Sequence, residues 1–220
     1  MNAMAFSTFP AETGYTRRVL FALELLDPAT LSLVSDRAIR VEATGLAGKP
    51  IRNHSGRFVW LEEAATPQRV TVDPGDLPYE PEDQPAPLPP ARLLRIVLRP
   101  TPAYAVDSGI SAVGSSLYES IAVTPVGVAG ADVWLQWVDA SGGPGGPWVD
   151  AAPPKARSAA SGDFTALLRF DAGRVPEIDA NGRLRARLRF DRGGTQRTSP
   201  EFFLSQGRRN DLAPFAWDQL

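Results

Sequence analysis

His54 is the single histidine of the chain, and it stands in a polar turn, Arg52-Asn53-His54-Ser55-Gly56. One histidine cannot supply a two- or three-histidine zinc site. A general base beside Ser55 is the other chemistry open to it. Neighbours in a turn seldom face each other as a triad requires, and no nucleophile elbow occurs, so a solvent-facing ring is expected. The carboxylates are scattered. Glu62 and Glu63 are adjacent and would point to opposite faces of a strand. Glu80, Glu82 and Asp83 sit among prolines, which suits no catalytic pair held at fixed separation. Asp179, Asn181 and Gly182 give part of a calcium-loop pattern without its other ligands, and Asn-Gly is a strong hairpin signal. The glycine-rich 142–146 is not followed by the Lys-Ser/Thr of a phosphate loop. These residues predict no enzyme, no cofactor and no metal.

The most unusual spacing is RLRARLRF at 183–190. On a strand, Arg183, Arg185, Arg187 and Arg189 line one face, opposite Leu184, Ala186, Leu188 and Phe190. Such a stripe can meet an acidic protein surface, or pair with acidic residues on neighbouring strands. Phe215 and Trp217 lie beyond Pro214, after the last predicted strand. Large aromatics are costly to leave in water. They either cover the chain's own sheets or anchor in a partner, as aromatic hot spots do. Phe6, Phe9 and Tyr15 near the start pose the same question.

The elements that would carry these residues read as strands. The 220 residues are 43% hydrophobic, enough for two small cores, and the formal net charge of −2 supplies no basic field for nucleic acid. The absence of cysteine excludes a disulfide scaffold and thiolate metal sites. The first apolar run, 19–26, is eight residues long and contains Glu24, whereas a membrane span needs roughly 20 residues. Cytoplasmic synthesis without a secretion signal is expected, as is no membrane association. Residues 1–16 read as an arm. Segments 18–25, 39–44, 57–61 and 69–72, then 93–98, 131–138, 164–170, 184–190 and 201–204, are apolar or alternating and divided by Gly, Pro and Asn turns. This spacing indicates β-sandwiches. A short helical turn is expected at 27–34, with Pro28 at its first position. The proline-rich stretch PYEPEDQPAPLPP at 78–90 cannot be a central strand and reads as an extended connector.

Two stretches share one layout. VEATGLAGKPIRNHSGRFVWL at 41–61 and the pair VGVAGADVWLQWV and SAASGDFTALL within 126–168 each run from a strand through a small-residue turn to Ser-Gly-x-Phe or Ser-Gly-Asp-Phe. Gly130-Ala131-Asp132-Val133 and Gly162-Asp163-Phe164, with Gly48-Lys49-Pro50-Ile51 and Gly56-Arg57-Phe58, carry a pattern that resembles the carboxypeptidase regulatory-like (transthyretin-like) β-sandwich family. The glycine permits a positive-φ turn and the phenylalanine two residues on plugs the core. The resemblance implies an accessory, binding or spacer module without peptidase activity. The segments RRVLFALELLDP and SGRFVWLEE also resemble proteins of contractile phage-tail or injection particles.

The sequence therefore predicts an all-β protein. An arm at 1–16 precedes an immunoglobulin/transthyretin-like sandwich at 17–77, a linker at 78–91, a second sandwich at 92–206 and an aromatic tail at 207–220. Alternatively, 93–98 completes the first sandwich and moves the boundary to about 100. The expected function is a structural or adaptor protein holding a protein partner through sheet edges and arms, with Arg183, Arg185, Arg187, Arg189, Phe215 and Trp217 as contact residues. The setting would be a phage-tail-like particle, within a virion or released from the cell. The alternative is a carbohydrate-type ligand-binding module using Trp60, Trp134, Trp137 or Trp148.

Overall fold

A computed structural model describes residues 18–87, 91–120, 124–152 and 155–220. The expected arm at 1–16 lies outside these residues. Alternating apolar positions and frequent turns make the described chain all-β. The first group of strands is β1 (Val19–Leu26), β2 (Arg40–Thr44), β3 (Ile51–Arg52), β4 (Phe58–Leu61), β5 (Arg69–Asp73), β6 (Glu82–Pro85) and β7 (Leu93–Val97). The second group opens with β8 (Ala112–Tyr118), β9 (Asp132–Val138), β10 (Trp148–Asp150), β11 (Ala156–Arg157) and β12 (Asp163–Leu167). It continues with β13 (Arg183–Arg192), β14 (Thr195–Thr198), β15 (Phe202–Ser205), β16 (Arg209–Asp211) and β17 (Phe215–Ala216). Among the described residues no helix is long and apolar enough to cross a membrane. The helical turn expected at 27–34 is a single turn that closes on Asp27 and does not propagate.

One pairing scheme runs twice along the chain. β1 lies between antiparallel β4 and parallel β7, and β8 lies between antiparallel β12 and parallel β16. In the facing sheets, β5 joins β2 and β6, and β13 joins β9 and β15, all antiparallel. Residues of β1, β2, β4, β5 and β7 share one buried cluster, and residues of β8, β9, β11, β12, β13 and β15 share another. Phe21 and Trp60, stacked at 4.5 Å, centre the first, and Trp137, Phe164 and Phe190 centre the second. The two Gly-x-Phe turns behave as their chemistry requires. Gly56 and Gly162 have φ of +82° and +90°, and Phe58 and Phe164 drop into the two clusters at the mouths of β4 and β12.

The expected connector at 78–91 is built differently. It carries β6, the edge strand of the sheet β2-β5-β6. Ala86 N–H donates to Gln68 C=O, so by the ladder's alternation 82, 84 and 86 face β5 with their backbone and 81, 83, 85 and 87 face away. Pro81, Pro85 and Pro87 occupy outward positions, where a missing N–H costs no ladder bond and discourages a further strand. Residues 93–97 pair with β1, and Ile96 and Leu98 enter the first cluster, as in the alternative that places the boundary near 100.

Two charged groups show how the sheets tolerate polar residues. Glu24 interrupts apolar β1 but faces outward between Arg57 and Arg95, whose Nε atoms donate at 2.6 and 2.7 Å. These bonds, from Arg57 first and then Arg95, hold its carboxyl below the usual range. Asp27 stands where the two groups of strands meet. Its Oδ1 accepts from the N–H groups of Ala29 and Thr30, and its Oδ2 from the hydroxyls of Tyr79 and Tyr104 at 2.9 and 2.8 Å. Tyr104, Ala112 and Leu167 form a small cluster there, with Tyr79 against it.

Candidate functional site: the arginine–tryptophan face

The residues that could have done catalysis are occupied with turns. His54 is exposed in the β3–β4 hairpin, and the Ser55 hydroxyl donates to Asn53 Oδ1. The Glu63 carboxylate accepts from the N–H groups of Ala47 and Gly48. Asp179 accepts from the backbone N–H groups of Asn181 and Arg183 and pairs with the Arg183 guanidinium. These contacts, the Arg183 N–H first, outweigh its desolvation and lower its pKa. The Asp179-Asn181-Gly182 segment forms a hairpin turn with Gly182 at φ +73°. Among the described residues no cluster of three metal-ligating side chains exists.

The arginine stripe is assembled on β13, a central strand between β9 and β14–β15. Leu184, Ala186, Leu188 and Phe190 are fully buried beneath it, which pins the register and forces the arginines outward. Each arginine then meets a neighbour from another strand or turn. Arg183 grips Asp179 at 2.8 Å and lies over the Phe203 ring. Arg185 grips Glu201 at 2.8 Å, with Glu177 at 3.6 Å. The Glu201 bond, foremost, raises its already high pKa. Arg189 pairs with Asp150 at 2.7 Å and lies 4.3 Å from the Trp134 ring centre.

Arg187 differs from the other three. Among the described residues it has no carboxylate within 4.0 Å. Its Nε donates to Gln136 Oε1 at 2.7 Å, and its guanidinium lies 4.3 Å from the Trp148 ring centre. Gln136 is itself fixed by donating to Asp150 Oδ1 at 2.7 Å. A guanidinium held at Nε and stacked on indole keeps its two terminal nitrogens for a bidentate carboxylate. The stacking also supplies cation–π attraction that opposes its movement off the ring.

The tail takes the self-packed alternative. β16 and β17 both pair with β8 in parallel, and Phe215 meets Phe190 with ring centres 5.6 Å apart. Trp217 packs on the second cluster, and Arg197 covers its ring. Phe215 and Trp217, expected either to cover the chain's own sheets or to anchor in a partner, are half-buried where the edge of β8 and the Phe190 side of the core offer them a local seat. Ending the chain at Ser205 would remove strands from this sheet, so that truncation would test folding before binding. Trp60 and Trp137 are core, whereas Trp134 and Trp148 lie on the arginine face. Sequence reasoning missed the Gln136–Asp150 support for this face. Its one local signal is the period-two pattern of Trp134 and Gln136 opposite buried Val133, Leu135 and Trp137.

No family model and no curated protein matches this chain.

Proposed function

We propose that the chain is a non-enzymatic structural or adaptor protein made of two transthyretin-like sandwich modules, which holds a protein partner on its arginine–tryptophan face. The repeated pairing scheme and the two Gly-x-Phe turns support the two-module reading. Arg187 carries the partner reading, as a fixed and stacked guanidinium without a carboxylate of its own among the described residues. Arginine and tryptophan are the residues that dominate protein interfaces energetically. The partner would bring an Asp or Glu side chain to Arg187. A phage-tail-like contractile particle is the proposed setting, and it rests on the resemblance of the opening strand and the 55–63 segment. The protein-partner reading is favoured over the carbohydrate one because guanidinium groups lie over the Trp134 and Trp148 rings and would compete with a sugar for them.

The test compares full-length wild type with Arg187→Gln as baits in lysate of the native host. The expected result is one stoichiometric partner on the wild type and its loss on the variant, with equal melting temperatures. Identical captures from both baits, or none from either, would refute the assignment.

A further inference from the structure

The repeat exposes a difference between its two halves. In the second, β9 is flanked on one side by β13 and on the other by β10 and β11. Among the described residues the corresponding β2 is flanked by β5 alone, and β3 pairs with β4 instead. By ladder alternation Val41 and Ala43 turn their N–H groups away from β5. A groove of about 500 Å³ runs along this open edge. Its apolar floor includes Ile39, Val41, Leu46 and Phe58.

The groove also has a charge bias. Among the described residues Arg40, Lys49 and Arg52 line it, against the carboxylate of Glu42 and that of Glu63, which is bonded to the N–H groups of the lining residues Ala47 and Gly48. Among the described residues none of the three cations has a carboxylate within 4.0 Å. The Arg52 guanidinium lies over the Phe58 ring, and its Nη2 is buried without a hydrogen-bond partner. A buried donor left unmade is costly, and a carboxylate entering the groove would satisfy it. In the second half, β10 brings Trp148, Val149 and Asp150 to the corresponding edge, with Val149 on the core and Asp150 paired to Arg189.

We infer that the β2 edge is a strand-acceptor groove, which takes an extended, carboxylate-bearing segment of the partner protein in the place that β10 holds on β9. Main-chain bonds to Val41 and Ala43 would give affinity, an apolar side chain would enter beside Leu46, and a carboxylate two residues along, on the same strand face, would meet Arg52. The inference rests on the adaptor reading but uses a different surface from Arg187.

The test is amide hydrogen exchange and calorimetry on the full chain, with a synthetic peptide of residues 145–152 as the strand probe. In the free protein the Val41 and Ala43 amides should exchange freely, and saturating peptide should slow them at least about tenfold. Arg52→Met in the protein should weaken binding, and Ala151→Asp in the peptide, on the same face as Val149, should strengthen it about tenfold on the wild type and not at all on Arg52→Met. Absence of saturable binding up to about 1 mM would overturn the inference. So would protection already present in the free chain. If that protection vanishes on deleting residues 1–17, the occupant is the chain's own segment, and if it vanishes on dilution, the occupant is a second copy. Peptide failure alongside Arg187-dependent partner capture would remove this inference and leave the adaptor reading standing.

Discussion

Replacing Asp27 by Asn probes the joint between the two groups of strands. The Oδ1 contacts to Ala29, Thr30 and the Thr30 hydroxyl can pass to the amide oxygen. The Tyr79 and Tyr104 hydroxyls lose an anionic acceptor and must rotate to accept from an amide instead. A hydrogen bond to a charged group contributes about 1.5–3 kcal/mol and a neutral one about 0.5–1.5, so two such changes cost about 2–3 kcal/mol. For a chain of this size that lowers the melting temperature by about 5–10 °C. The pH dependence has a definite sign. Burial raises the Asp27 pKa, but the bonds from Thr30, Tyr104 and Tyr79 together outweigh it, and the folded value lies below the ordinary 3.8. Its contribution is therefore complete above the unfolded value and is lost as pH falls through the folded one. Urea unfolding followed by tryptophan fluorescence should show a gap between wild type and Asp27→Asn that is constant from pH 7 to about 5 and closes below about 4. A gap under about 0.5 kcal/mol at pH 7, within the scatter of ordinary surface substitutions, or one that persists undiminished at pH 2.5, would refute the reasoning.

Two further substitutions test packing. Gly162→Ala places a Cβ 2.2 Å from the Leu117 carbonyl oxygen at φ +90° and should cost about 3 kcal/mol. Gly173→Ala, at φ +84° but in open space, should cost only about 1 kcal/mol, and equal urea midpoints for the two would contradict the steric account. Arg99→Ala strands the Glu82 carboxylate, which is only 4% exposed, and should destabilise by about 3–5 kcal/mol in the same assay. A loss under about 1 kcal/mol would mean that Glu82 is rehydrated without cost.

Much of the strand content was legible because alternation is local. RLRARLRF announces a strand with one apolar and one basic face from its own residues, and Gly-x-Phe announces a turn followed by a core plug. The proline-rich stretch misled because proline's effect depends on which way each N–H points. That direction is set by pairing with β5, a strand elsewhere in the sequence, not by the prolines themselves. The tail was ambiguous for a related reason. Phe215 and Trp217 have no neighbour nearby in sequence, and their seat is made by β8 and Phe190.

By itself the sequence determined the all-β class, which face of each long strand is apolar, and the absence of any thiolate or multi-histidine chemistry. These follow from residue type and period-two spacing. Tertiary structure alone decided which carboxylates meet Arg185 and Arg189 and, among the described residues, that Arg187 meets none. It also decided that Asp27 would join two tyrosines and that, among the described residues, β2 would lack the flanking strand that β9 has. Each of these depends on pairing between segments far apart in the chain, where a shift of one residue would exchange every buried side chain for an exposed one.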